Sequence, residues 1–315
     1  MFDKKYTDLL TIPSGSVVIV GLSGGPDSVF LLQLLAATQH AQQLTIIAAH
    51  LDHQWRTESA QDAQFCKKMC KDLNIPLIEG QASNITLNRP ASGSQEDLGR
   101  QLRRHFFEKV AQKHNAQYIA LAHHADDQTE TFLIRIIRGA TLAGLTGIKK
   151  QNGLYWRPLL KLSKQEIVRW LDDKNVEYLT DPTNASPDFL RNRIRNTVIP
   201  ALKDSDSRFD ANFARTLENL QETEQFMLDV TQDGFNAVVD HDLSLDIHKL
   251  SKQPSFLQKR IIVDWLYKNK VQATVSNKLV QEVMRFLNHE RGGLHQVHTT
   301  WGIEKKQHKA SIKQL

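Results

Sequence analysis

Residues 16–22, SVVIVGL, form an unbroken run of apolar and β-branched positions. That is the pattern of a strand buried on both faces of a parallel sheet. Residues 44–50 repeat it, 76–78 give a weaker third strand, and 118–122 give a fourth. Between these runs the spacing becomes helical. Pro26 and Asp27 open a helix reaching about Ala37, and a second covers about 57–73. A third begins at a Ser94 cap, with Asp97 three residues on and Leu98, Leu102 and Phe106 at four-residue intervals. A fourth runs to Arg138, where Gly139 suits the position just past a helix end. Strands alternating with helices predict right-handed βαβ units and a parallel sheet covered on both faces.

Beyond Gly153 the pattern changes. Ser163 and Glu166 form a capping box for another helix, and Ser186-Pro187 starts a basic helix expected to end near Pro200. A long amphipathic helix over about 207–233 carries Phe209, Phe213, Leu217 and Leu220 on one stripe, and 293–303 reads as a hairpin. The expected division is therefore an α/β domain at 1–200 and a mostly helical domain at 201–315. No internal repeat or low-complexity tract is visible.

A length of 315 residues fits two domains at about 100–200 residues each. No apolar run reaches the roughly 18–20 residues needed to cross a bilayer, so no membrane partner is expected. The polar start, Met1-Phe2-Asp3-Lys4-Lys5, is unlike a signal peptide, and the expected location is cytoplasmic. Cys66 and Cys70 are the only cysteines. They are too few for a zinc or iron–sulfur site and read as partly buried thiols on a helix away from the sheet edge. Net charge is +5, from 40 basic and 35 acidic residues. The clustering says more than the sum. Arg100, Arg103 and Arg104 form one group, Arg191, Arg193 and Arg195 a second, and Lys305, Lys306, Lys309 and Lys313 a third. Each could be only a solvated face, but three clusters in one chain favour a nucleic-acid partner.

The strongest local signal is Ser23-Gly24-Gly25-Pro26-Asp27-Ser28, between a strand and a helix. Glycines let the backbone turn sharply, and free N–H groups at the helix start attract an anion. The Gly-Lys-Ser/Thr ending of a Walker loop is missing. Asp27 and Ser28 are read as lying on an exposed turn. The second strand ends in His50-Leu51-Asp52-His53-Gln54-Trp55-Arg56, and the fourth in His123-His124-Ala125-Asp126-Asp127, with Glu130 three residues on. Ligands in open α/β sheets sit beyond the carboxyl ends of strands. A helix dipole explains one acidic residue in a first turn. It explains poorly three carboxylates and two histidines at one sheet edge. Two histidines without an obvious third ligand do not make a metal site, and none is expected.

The loop at 23–28 resembles the pyrophosphate-binding loop of the PP-loop ATP pyrophosphatases. Four segments together resemble the tRNA(Ile)-lysidine synthetases: 23–28, 50–56, 123–139 (HHADDQTETFLIRIIRG) and 181–200 (DPTNASPDFLRNRIRNTVIP). Glu96 with Arg100, Arg103 and Arg104, and Arg157-Pro158-Leu159-Leu160, match two weaker segments. The likeness is dense over 16–201 and faint afterwards. Members of the family usually have Gly-Leu where this chain has Gln54-Trp55, and the chain ends about where short members end.

The resemblance implies a Rossmann-like PP-loop ATPase fold, a ligase using ATP with Mg²⁺, and two further substrates, L-lysine and tRNA(Ile) with a CAU anticodon. Adenylylation of the cytidine C2 oxygen would make it a leaving group, and the lysine amine would then attack C2, converting decoding from AUG to AUA. It assigns Ser23, Gly24, Gly25, Pro26, Asp27, Ser28, His50 and Asp52 to the nucleotide. Asp127 and Glu130 fall to the lysine amine, which has to shed a proton before attacking. Arg195 falls to catalysis, and Arg100, Arg103, Arg104, Arg191 and Arg193 to tRNA. On a helix, Arg191 and Arg195 share a face and Arg193 points away. The mostly helical C-terminal half is expected to bind tRNA, and a homodimer is left open. A PP-loop tRNA thiolase and a non-catalytic ATP-binding module are the competing readings.

Overall fold

The computed structural model describes residues 2–55, 59–87, 95–180, 189–272 and 275–315. Arg56, Ser94 and 181–188 lie outside them, so the expected cap of the third helix and the Ser186-Pro187 helix start are not addressed. Nor is the Glu96 side chain.

In the first part of the chain, α1 (Lys4–Thr7), β1 (Val17–Gly21), α2 (Pro26–Thr38), β2 (Thr45–Asp52), α3 (Ser59–Asp72), β3 (Leu77–Gln81), α4 (Gln95–Lys113), β4 (Tyr118–Ala120) and α5 (Ala125–Ile137) follow one another. Next come α6 (Leu142–Leu145), β5 (Gln151–Asn152), β6 (Tyr155–Trp156), α7 (Lys164–Asp173), α8 (Leu190–Arg193) and α9 (Ile199–Ser205). The sheet order is β3-β2-β1-β4-β6-β5. All neighbours are parallel except β5 on β6. Both faces are covered, as the unbroken apolar runs require. Val18 and Val20 pack with Phe30, Leu31 and Leu35 on one side, while Ile19 packs with Ile47, Phe106 and Ile119 on the other.

This order fixes where a ligand can bind. The chain moves outward from β1 through β2 to β3, then returns to place β4 on the opposite side of β1. The loops leaving β1 and β4 therefore diverge, opening a crevice at the carboxyl end of the sheet. They are the glycine loop and the His123–Asp127 segment.

The basic helix does not end at Pro200. It passes from α8 through a π-helical turn at Ile194–Val198 into α9, which carries Pro200 in its first turn. Proline lacks an N–H, and at a helix start that donor is not needed. The π turn lets the chain restart there, so the basic segment and α9 form one continuous run.

Two compact units divide at 218/219 rather than near Pro200, because α9 and the first turns of α10 (Phe209–Val238) pack with the α/β unit. Phe132 meets Phe213 edge to face at 5.2 Å there. The second unit, 219–315, contains β7 (Leu245–Asp246), α11 (Ile247–Ser251), α12 (Ser255–Lys268), α13 (Asn277–Asn288), β8 (Gly293–His298), β9 (Trp301–Lys306) and β10 (Lys309–Gln314). Its helices bury Ile261, Ile262, Trp265 and Val283. The expected hairpin is the start of a β8–β9–β10 meander that β7 extends to four antiparallel strands. Among the described residues no helix is long and apolar enough to cross a membrane.

Candidate active site

The glycine loop is held open by its own side chains. Gly24 has φ +83°, a conformation costly for residues with a Cβ. A Cβ there would also lie 2.6 Å from Leu179, whose N–H donates to the Gly24 carbonyl at 2.9 Å. Ser28 Oγ accepts from Ser23 N at 3.1 Å and donates to the Gly25 carbonyl at 2.9 Å. Pro26 starts α2 at a position where no donor is lost. Ser28 is buried and Asp27 largely so, which corrects the expectation of an exposed turn. The serines brace the loop so that its backbone can face an anion.

Asp27 is the loop's one charged side chain. Its Oδ2 accepts from Lys164 Nζ at 2.7 Å and lies 3.7 Å from His124 Nε2. Its Oδ1 is buried and has no hydrogen-bond partner among the described residues. A carboxylate oxygen left this way is costly unless a ligand or cation reaches it. A magnesium ion typically takes one or two protein carboxylates together with phosphate oxygens. Loop and carboxylate thus fit a Mg²⁺-bound triphosphate.

Across the crevice, His124 sits at the start of α5 with almost no solvent contact. Asp27, Asp126 and Asp127 carboxylates lie 3.7, 3.5 and 3.6 Å from its ring nitrogens. Burial works against charging this ring, but the adjacent Asp126, Asp127 and Asp27 carboxylates raise its pKa overall. Burial likewise opposes ionisation of Asp126, yet His124, the Lys164 N–H and Lys203 hold its carboxyl far below the usual range. Asp127 is also burdened by burial and still held low by the two histidines, the His124 N–H and Arg191. Its Oδ2 accepts from His124 N at 3.0 Å and so caps α5, the structural role that a first-turn acid often plays. Desolvation pushes the neighbouring His123 down to about 4.

Glu130, one turn further on, is 1% exposed. Arg191 Nε donates to its Oε2 at 2.9 Å, Arg195 Nε to its Oε1 at 2.5 Å, and Arg195 Nη2 to its Oε2 at 3.0 Å. Arg195 Nη2 also lies 3.8 Å from Asp127 Oδ1. Arg191 and Arg195 thus share the face turned to α5, while Arg193 is exposed. Both Glu130 oxygens are committed to guanidinium groups, so the carboxylate with capacity for an amine is Asp127.

Other expected residues fall outside this cluster. His50 is buried beneath the loop. Its Nδ1 meets the Leu22 carbonyl at 2.9 Å and Cys66 Sγ at 3.5 Å, so it braces the end of β1. Cys66 accordingly touches the strand end rather than lying away from it. Burial pushes its thiol up to about 12 and that of Cys70 to about 11. Asp52 Oδ1 accepts from Gln54 N at 2.7 Å, a turn-forming bond. On α4, Arg100 is exposed and Arg103 reaches His53 at 3.0 Å. Arg104 pairs with Glu108 at 2.9 Å beside Tyr155. Lys164 and Lys203 were not anticipated. The Ser163 capping box does place Lys164 at a helix start, but only the fold carries it to Asp27.

The profile of the PP-loop domain family matches residues 1–202. The chain belongs to the PP-loop domain family. Curated tRNA(Ile)-lysidine synthases resemble this PP-loop chain over most of its length. That of Bacillus anthracis is 34% identical over 302 residues, covering 90% of this chain and 63% of the relative. That of Bacillus subtilis (strain 168) is 36% identical over 292 residues, covering 89% and 61%. The chain therefore spans about 63% of the length of the curated relatives it matches. Among solved structures, a U34-tRNA thiolase from Methanococcus maripaludis shares the PP-loop fold at TM-score 0.56 and 19% identity, covering 70% of this chain and 76% of that one.

Proposed function

We propose that the chain ligates L-lysine to C2 of the wobble cytidine of tRNA(Ile) at the expense of ATP, in the cytoplasm. The observation carrying this reading is the pairing, across one crevice, of a braced anion loop with a buried cluster of acids and guanidinium groups. ATP supplies the adenylyl group that makes the C2 oxygen a leaving group. The products are AMP, pyrophosphate and lysidine-bearing tRNA.

The protein's own part is binding, charge placement and proton handling. Backbone N–H groups of Gly24 and Gly25 and the start of α2 receive phosphate oxygens. Asp27 Oδ1 would hold the accompanying Mg²⁺, which would offset phosphate charge, while Lys164 keeps the other oxygen in place. Asp127 receives the lysine side-chain ammonium and is the candidate base for its proton. Arg195, fixed by Glu130, balances negative charge on the adenylyl phosphate that leaves as AMP. Glu130 becomes a positioning residue for Arg191 and Arg195 rather than a lysine ligand. The 219–315 unit and the Arg100, Arg103 and Arg193 faces are assigned to tRNA.

The buried, protonated thiols of Cys66 and Cys70 disfavour sulfur transfer, which needs a thiolate. A module that merely senses ATP has no use for the Glu130–arginine clamp. The test is incubation of the purified chain with ATP, labelled lysine and a tRNA(Ile) transcript bearing CAU. Lysine should enter the tRNA with one pyrophosphate released per lysine. ATP hydrolysis without lysine transfer would overturn the reading.

A further inference from the structure

The end of β2 departs from the pattern of the family it resembles, and the structure gives the departure a form. Gln54 has φ +56°, a left-handed conformation that glycine adopts more easily. It is held there by Asp52 Oδ1 accepting its N–H at 2.7 Å and by its own Oε1 accepting from Ser83 N at 3.3 Å. The next residue, Trp55, has its ring stacked on His53, with centroids 4.5 Å apart and planes at 27°. The far edge of the indole rests on α4 at Gly99, where a Cβ would come within 2.5 Å of Trp55 Cη2. Arg103 Nη1 meets His53 Nε2 at 3.0 Å from the same helix. Desolvation and the Arg103 charge press His53 down to about 4, so its neutral ring accepts that bond.

For all this support, Trp55 remains 44% exposed. A large aromatic held rigid yet open to water loses little entropy on binding and presents a π-face. Arginine neighbours on the same helix, Arg100 and Arg103, add positive charge beside it. Aromatic rings flanked by guanidinium groups are how proteins hold unpaired nucleic-acid bases.

We infer that Trp55, seated on Gly99 and backed by His53 and Arg103, is a stacking platform for an unpaired RNA base other than the one that reacts. This rests on RNA being the substrate, as proposed above. The probe is a tRNA(Ile) transcript bearing CAU, with affinity measured against salt concentration. Trp55→Ala should weaken binding about ten-fold, the size of one lost base–aromatic stack. The salt slope should stay unchanged, because no phosphate contact is removed. Trp55→Phe should recover most of the affinity, and KM for ATP should not move in either variant. Tryptophan fluorescence supplies a second reading that does not depend on the alanine variant folding. tRNA should quench the wild type more than Trp55→Phe.

Affinity of Trp55→Ala within two-fold of wild type would overturn the inference, as would equal quenching in wild type and Trp55→Phe. A rise in KM for ATP with tRNA affinity intact would assign the ring to the nucleotide instead. A wild type that binds tRNA without transferring lysine would overturn the proposed reaction and leave the platform standing. A wild type that does not bind tRNA would overturn both.

Discussion

Lys164 Nζ and Asp27 Oδ2 meet at 2.7 Å although 137 residues separate them in the chain. The contact joins the first turn of α7 to the first turn of α2 and orients the one charged side chain of the anion loop. Its solvent exposure, 43% and 25%, makes it a weak contributor to stability, on the order of 0–1 kcal/mol. Its effect on turnover should be larger, because Asp27 would lose its fixed rotamer. Lys164→Met should therefore leave the thermal midpoint nearly unchanged while lowering kcat/KM for ATP at least ten-fold. Thermal melts and pyrophosphate release, measured side by side, check this.

Asp127 and Glu130 should separate cleanly. Glu130→Gln leaves Arg191 and Arg195 facing a neutral amide in a buried position, and removing one partner of such a group costs about 3–5 kcal/mol. The variant should melt markedly lower and lose activity toward all substrates. Asp127→Asn keeps the shape of the α5 cap and removes a charge, so it should melt near wild type and raise KM for lysine well above any change for ATP. Urea titrations and steady-state kinetics on both variants decide. Equal KM effects on lysine and ATP in Asp127→Asn would move this carboxylate to the metal.

Much of this arrangement was legible in the sequence because it is local. Unbroken apolar runs identify β1 and β2, the SGGPDS turn identifies the loop, and Gly139 at φ +72° ends α5 as its position predicts. Sheet-edge placement alone brings the loop and the His123–Asp127 segment together. What could not be read depends on tertiary partners. Nothing local says that Glu130 will be taken by Arg191 and Arg195, about sixty residues on, or that Lys164 will reach Asp27. Pro200 read as a stop, since the π turn that carries the helix into it leaves no compositional mark. Glutamine itself carries no mark of a left-handed backbone, and only the glycine usual at the position of Gln54 in the resembled family points to it.

The histidines of the crevice rim should respond to pH with opposite signs. His124 has a pKa raised above the unfolded value near 6.5, so the stability it contributes is complete below that pH and is lost as pH rises through the folded value. His53 is lowered to about 4, so the unfolded chain binds its proton first, and stability falls as pH drops from about 6.5 toward 4. Stability by urea titration across pH 4–9 should show both limbs. His124→Gln should flatten the alkaline one, and His53→Gln should shrink the acidic one without removing it, because buried His123 is also lowered to about 4. Persistence of the alkaline limb in His124→Gln would mean another group carries it.

The C-terminal lysines form one of the three basic clusters that favour a nucleic-acid partner in sequence, but their own partners in the fold argue against a phosphate track there. Lys305 is 7% exposed, and its Nζ donates to the carbonyls of Leu287 and His289 at the end of α13. Those carbonyls have no partner inside the helix, so the ammonium satisfies them and complements the helix dipole. Lys306 and Lys313 both pair with Glu304, at 3.1 and 2.8 Å, and Lys309 pairs with Asp240 at 2.7 Å. Lys305→Met should consequently destabilise the 219–315 unit by about 1–3 kcal/mol, through buried carbonyls left without a donor. It should not alter the salt dependence of tRNA binding in the folded protein. Lys306→Ala with Lys309→Ala should change that slope by less than one unit, since both charges are already offset by acids. Arg103→Ala should lower it by about one, if the α4 face meets phosphate. Affinity of the three variants for tRNA, measured from low to moderate salt, ranks the two faces directly. A drop of two units in the lysine double variant would put phosphate contacts of the 219–315 unit on these lysines of the meander.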